Sequence, residues 1–372
     1  MSGGTRSGPA GPATRTEPAT SPADATRRSG RPAGGPLRAV LASRWPGYAV
    51  LLAILLLVPA VFTRVPFFTM SVAVLMGLQA IAALGLVPLT GHAGQISLGQ
   101  AAFFAVGGYT SAVLTLRWQV NALLALVLGM VLAAGVAYLV GLFIFRAQGQ
   151  YLALATLSFG LVVNYLAGQL PITGAANGLP GIPTMAPFGF EISGDLPMYY
   201  LVAMVLLVAV IVVDGLLRSP IGKALTALGD SPVATAASGV SIASLRRNAF
   251  ALAAALAALS GSLYAHWTSY MDAGQAGILN SIQLLIIATI GGLRTVWGAP
   301  LGAFVIITIS QSSQDLLPRL LPHATGNYEI VVYGLALIVI LLFLPHGVGG
   351  GLIGLAGRLA RAVRGRPPTA TR

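Results

Sequence analysis

Leu89-Thr90-Gly91-His92-Ala93-Gly94-Gln95-Ile96-Ser97-Leu98-Gly99-Gln100-Ala101-Ala102-Phe103 lies between two long apolar stretches. A polar, glycine-rich interruption in a run of oily helices strands backbone N–H and C=O groups where lipid offers no partner. Such a break persists only where protein or a water-filled path surrounds it. In transporters, interrupted helices of this kind lie where substrate passes. Gly91, Gly94 and Gly99 permit close backbone approach. Gln95, Ser97 and Gln100 supply neutral hydrogen bonds. These six residues are the candidate substrate path.

The rest of the chain is as oily as the flanks of this segment. Of 372 residues 56% are hydrophobic and 8% charged, with a mean hydropathy of +0.84. Ordinary soluble domains carry about 25% charged residues, so the composition predicts an integral membrane protein, all-α and polytopic. A span needs about 20 apolar residues. Ten candidates follow: Gly47–Phe62, Phe67–Pro88, Gln100–Leu116, Ala122–Phe145, Tyr151–Leu170, Met198–Leu217, Ala249–Tyr270, Ile282–Leu293, Val296–Ile309 and Tyr328–Leu344. The first, eighth and ninth are short. This divides the chain into a basic tail over 1–46, a transmembrane domain over 47–355 with a loop at 218–248, and a second basic tail over 356–372.

Charge sets the expected orientation. With both tails in the cytoplasm, 18 of the 21 basic residues fall inside, and only Arg64, Arg117 and Arg319 outside. That is the asymmetry of the positive-inside rule. The N-terminal tail, rich in Gly, Pro, Ala, Thr and Arg, has the composition of a disordered segment. It lacks the apolar core of a signal peptide, and no aromatic residue interleaves its arginines before Trp45, which argues against nucleic-acid binding. Its charge is suited to attraction by anionic lipid at the inner leaflet.

The loop at 218–248 is patterned. Ser219 is a helix cap and Pro220 suits the first turn. Ile221, Ala224, Leu225 and Leu228 then recur at helical spacing, with Gly222 and Lys223 between them. Ser231-Pro232 starts a second short helix after Asp230, ending at Gly239. Such a pair packs on its own bundle or docks a partner; the amphipathic pattern serves either.

Several chemistries are excluded. The chain has no Cys, hence no disulfide or thiolate site. A Walker A motif needs Gly-Lys followed by Ser or Thr, and the single lysine, Lys223, precedes Ala224. The four histidines, His92, His266, His323 and His346, lie in unrelated segments without zinc-type spacing. For His92 a hydrogen-bonded structural role is expected. No acidic residue lies in the middle of a proposed span, where proton- or cation-driven carriers place one. Energy for transport is expected from elsewhere, and no cofactor is expected. One internal echo stands out. Pro300-Leu301-Gly302-Ala303-Phe304 follows a second glycine-rich break, Gly291 to Gly298, much as Leu98–Phe103 follows the first. Paired interruptions in two halves point to a shared site, though a sequence this rich in Gly and Ala also produces such echoes by chance.

The Leu89–Phe103 segment with Gly107-Gly108-Tyr109 behind it resembles the signature of branched-chain amino acid ABC transporter permeases, the M-type subunit in particular. Tyr151–Leu157 is similar to the family's central helix, and Thr173–Pro183 to its external loop. Gly291-Gly292 with Trp297–Ala303, and Pro345-His346-Gly347-Val348, resemble its later motifs. The resemblance runs from about Phe67 to Leu355. It implies a transport subunit, not an enzyme, in the plasma membrane. The implied partners are a second permease subunit, two cytoplasmic ATP-binding subunits and an extracytoplasmic solute-binding protein. It implies that Ser219, Pro220, Gly222, Lys223, Ala224, Leu225, Leu228, Asp230 and Gly239 contact the ATPase. The family usually carries a basic residue where this chain has Gly229, and a glutamate where it has Ala236. Close relatives in the importer class carry urea and short amides. A stand-alone carrier or channel is the reading from another class, and a membrane-embedded enzyme a third.

Overall fold

The computed structural model describes residues 3–4, 45–62, 69–146, 149–186, 192–320 and 334. Both basic tails, the expected tenth span Tyr328–Leu344 and the Pro345–Val348 motif lie outside them, apart from residues 3–4, 45–46 and 334. The described chain is almost wholly helical. In order it forms α1 (Trp45–Phe62), α2 (Met70–Leu84), α3 (Gln100–Trp118), α4 (Ala122–Ile144), α5 (Gln150–Gln169), α6 (Asp195–Arg218), α7 (Pro220–Asp230), α8 (Pro232–Ala237), α9 (Ile242–Thr268), α10 (Ile278–Gly291) and α11 (Gly298–Leu320). Two two-residue strands, β1 (Leu179–Pro180) and β2 (Tyr270–Met271), pair antiparallel, Leu179 opposite Met271.

Among the described residues five helical runs are long and apolar enough to cross a membrane: Met70–His92, Ala122–Ile144, Gln150–Gln169, Asp195–Arg218 and Ile242–Thr268. Shorter apolar helices cover Gly47–Ala60, Ile278–Gly291 and Gly298–Ser312. Nine of the ten expected spans therefore fall on helices. Several boundaries move. Helix α9 begins at Ile242 rather than Ala249, and α11 runs to Leu320 rather than Ile309.

The centre is built from α2, α3 and α9, with α4 and α5 flanking, α6 against α2, and the α10–α11 pair closing the other side. Close approach is made by small residues, the usual device of helices in lipid. A Cβ on Gly107 would stand 2.3 Å from the Ala258 backbone, and one on Gly261 only 1.9 Å from the Phe104 carbonyl. The Ser262 hydroxyl donates to the Gly107 carbonyl at 3.0 Å, and Ser260 to that of Leu78 at 2.6 Å. These bonds join helices side by side without any long side chain between them. Phe103 fills the remaining space, stacked on Phe159 and edge-on to Phe250. By contrast α4 and α5 turn most of their apolar surface outward.

Candidate functional site at the junction of two glycine breaks

Helix α2 does not stop cleanly. Its last turn continues into a π-helical turn, Val87–His92, before the chain breaks and α3 restarts at Gln100. The backbone groups freed by the break find partners inside it. The Gln95 N–H donates to the Leu89 carbonyl at 3.0 Å, the Thr90 hydroxyl to the Gln95 carbonyl at 3.0 Å, and the Gln95 amide to the Ala93 carbonyl at 2.9 Å. His92 Nδ1 bonds the Val87 carbonyl at 3.0 Å. At the start of α3, the orphan N–H of Leu98 is taken by the Thr156 hydroxyl of α5, and that of Ala101 by Ser281 of α10, both at 3.0 Å. Neighbouring helices thus satisfy what lipid cannot.

The six candidate path residues divide. Gln100 is fully buried, and its Nε2 donates to the carbonyls of Ala82 at 3.2 Å and Ala253 at 2.9 Å, so its amide holds α2, α3 and α9 together. Ser97 is buried and accepts from the Gly99 N–H at 3.4 Å. Gly99 packs on α5, where a Cβ would come within 2.7 Å of the Thr156 carbonyl. Gln95 is half-buried and Gly94 is exposed, the latter with φ of +66°, a conformation glycine adopts without strain.

Gly91 and Gly94 face two other segments. A Cβ on Gly91 would lie 1.8 Å from the carbonyl of Leu293, in the turn between α10 and α11. The two glycine breaks, 200 residues apart in sequence, are in direct backbone contact. The third participant is α7. A Cβ on Gly229 would stand 2.1 Å from the His92 carbonyl, and one on Gly94 lies 3.6 Å from Gly229 itself. Asp230, next in the chain, pairs with Arg294 of the second break at 2.8 Å, on the surface. The end of α7 is therefore wedged against both breaks at once.

Local chemistry explains why α7 sits there. The Ser219 hydroxyl accepts from the Gly222 N–H at 3.4 Å and Pro220 occupies the first turn; Ser231 and Pro232 repeat the device for α8. Leu225 and Leu228 turn inward and are buried, with Gly222 between the loop and the Leu217 backbone. Ala224 is half-buried and Lys223 exposed. Ile221, expected on the inward face, is 50% exposed, because the buried register is Gly222, Leu225 and Leu228. Val233 of α8 is 81% exposed, and Gly239 ends the pair with φ of +77°. Just before the loop, the C-terminal end of α6 is tied to α1 by Asp214, which is buried and accepts from Arg218 one turn on at 2.8 Å and from the Tyr48 hydroxyl at 2.6 Å. The Tyr48 ring lies 5.7 Å from that of Trp297, at the end of the second break.

The opposite end of the bundle holds a polar chain that sequence reasoning missed. His266 is buried; its Nε2 meets the Ser111 hydroxyl at 2.8 Å and its Nδ1 the Pro183 carbonyl at 2.7 Å. A carbonyl only accepts, so Nδ1 carries the proton, and a neutral ring accepts from Ser111 at Nε2. This histidine ties the 171–186 segment to α3 and α9. Ser111 and His266 lie 155 residues apart, and no local spacing announces the pair. Nearby, Asp195 accepts from Ser71 and from the Trp267 indole N–H.

Broken helices meeting at one end, with a short amphipathic helix pressed on both, define a polytopic helical membrane protein of the transporter kind. The family described as "Branched-chain amino acid transport system / permease component" matches residues 68–341, and the chain belongs to it. It is 28% identical over 304 residues to the high-affinity branched-chain amino acid transport system permease protein LivM of Escherichia coli K12, covering 75% of this chain and 69% of that one. The corresponding LivM of Salmonella typhimurium is 27% identical over the same length. BraD of Pseudomonas aeruginosa, another high-affinity branched-chain amino acid permease protein, is 27% identical over 177 residues, 45% of this chain and 55% of that one. No solved structure gives a significant match.

Proposed function

We propose that this chain is the translocating subunit of an ATP-driven importer, carrying branched-chain or related amino acids across the plasma membrane. It works with a second permease subunit, two cytoplasmic ATP-binding subunits and an extracytoplasmic solute-binding protein. The loop carrying α7 and α8 faces the cytoplasm, where Lys223, Ile221 and Val233 present the docking surface for an ATPase. The 171–186 segment faces outward and receives the binding protein. The observation that supports this most is the wedge of α7 between the two glycine breaks. A push on α7 is delivered to His92 and Gly94 of the first break and, through Asp230 and Arg294, to the second.

In this reading the break at Gly91–Gln100 borders the inner end of the path. Its outer part, with Gly94 and Ile96 exposed and Gln95 half-buried, moves with α7, while Gln100 and Ser97 anchor the helix start behind it. The relatives' printed substrates, together with the neutral hydrogen-bonding lining, favour an uncharged or zwitterionic solute.

The test is made on the complex reconstituted with a second permease subunit, an ATPase pair and a solute-binding protein. ATP hydrolysis is measured with and without the loaded binding protein, alongside uptake of labelled leucine into vesicles. The double change Lys223→Asp and Val233→Asp removes the exposed docking contacts and leaves the buried Leu225 and Leu228 in place. Loss of ATPase association with an unchanged thermal transition of the permease supports the reading. Undiminished coupling in that variant, or concentrative leucine uptake by the lone subunit, overturns it.

A further inference from the structure

Asp272 is the first residue after β2 and occupies the cap position of the 273–276 turn, yet its side chain makes no capping bond. Among the described residues the ion pairs engage Asp214 and Asp230, not Asp272. The carboxylate is half-buried and lies over Gly274, where a Cβ would come within 2.8 Å of its Oδ1. It is an acid held in place with no cationic partner among the described residues.

Two tyrosines flank the turn that carries it: Tyr264 of α9, bonded to Gln275 three residues on, and Tyr109 of α3, whose neighbour Gly108 packs on Met271. Tyr109 is only 6% exposed, and among the described residues its buried hydroxyl has no hydrogen-bond partner. That oxygen is left to bond a ligand or a water. The Tyr264 hydroxyl accepts from the Gln275 amide at 3.2 Å, and Asn164 of α5 holds the turn by donating to the Ala273 carbonyl at 2.7 Å. The site is thus framed by α3, α5 and α9.

Its position matches an entrance. Met271, next to Asp272, pairs with Leu179, and the Tyr270 hydroxyl donates to the Asn177 carbonyl at 3.0 Å. The acid is stitched directly to the 171–186 segment proposed to receive the binding protein. A carboxylate with tyrosine oxygens and ring faces is complementary to a primary ammonium, which brings one positive charge and three N–H donors. The same group repels anions and gives a neutral amide no charge to meet.

We infer that Asp272, with Tyr109 and Tyr264, receives the protonated amino group of the solute at the outer mouth. This rests on the importer reading and narrows its substrate class to amines of the amino-acid type, excluding urea and free carboxylic acids. The assay uses the assembled complex in vesicles and follows labelled leucine, with labelled urea alongside. Asp272→Asn lowers kcat/KM for leucine at least tenfold, while ATPase stimulation by the loaded binding protein persists. Asp272→Glu retains uptake within about threefold, and Tyr109→Phe with Tyr264→Phe loses threefold or more. If wild-type vesicles carry urea and not leucine, the amino-acid reading itself fails. If they carry leucine and Asp272→Asn equals wild type, this inference alone is overturned. Should Asp272→Asn fail to assemble, the tyrosine double variant decides, and wild-type leucine uptake by it overturns the site.

Discussion

Replacing Gly229 by alanine tests the wedge most directly. The added Cβ would stand 2.1 Å from the His92 carbonyl, about 1.3 Å short of the 3.4 Å at which ordinary contact begins. The Cβ is rigidly placed and the atom it meets is backbone, so no flexible side chain swings aside. Either α7 lifts from the break or the break is pushed inward. Overpacking of this kind costs about 1–3 kcal/mol. If only one access state holds α7 against His92, that strain changes turnover by roughly 5-fold to 160-fold. Gly135→Ala on α4 is the control, since a Cβ there meets nothing within 4 Å, and removing a helical glycine stabilises by about 0.5–1 kcal/mol. The assay is uptake of leucine per ATP hydrolysed in vesicles, with the thermal transition of the purified permease measured in parallel. Gly229→Ala is expected to lower uptake per ATP and Tm together, with Gly91→Ala behaving likewise, since its Cβ would lie 1.8 Å from the Leu293 carbonyl. If Gly229→Ala matches Gly135→Ala in both measurements, the packing does not transmit force and the coupling argument fails.

Three further outcomes are expected. Gln100→Leu keeps the side-chain volume but removes the donor to the Ala82 and Ala253 carbonyls; it costs about 1–3 kcal/mol and is read as a lowered Tm in detergent. His266→Ala leaves the Pro183 carbonyl without its partner and opens a cavity beside Ser111, so limited proteolysis should cut the 171–186 segment several times faster than in wild type. Asp230→Ala breaks a surface ion pair whose side chains are 59% and 68% exposed; stability changes by about 0.5 kcal/mol or less, and a drop of Tm beyond 5 °C would contradict that placement.

What was legible in the sequence was what local chemistry decides. Ser219-Pro220 and Ser231-Pro232 mark the starts of α7 and α8 to the residue, because capping and proline geometry act within one turn, while α8 ends at Ala237, two residues before the expected Gly239. The start of α9 was not legible. Arg246 and Arg247 lower the apolar signal there, yet the helix already runs through them, with Arg247 over the Tyr138 ring at 5.0 Å. The glycine-rich character of both breaks could be seen, but their contact could not, since it depends on how α2, α10 and α11 pack. The roles of Gln95 and Gln100 separate only in three dimensions. One bonds within its own turn and the other reaches to carbonyls on two helices. His266 looked like a stray imidazole because both of its partners come from distant segments.

The bare Cα at position 229 also bears on how such machines can be recombined. A cationic side chain there would collide with the His92 carbonyl, so no charge projects from this point of the loop. If a motor docks on α7 as proposed, one that needs a cation at this position would find none, and supplying it would require remodelling the first break at the same time.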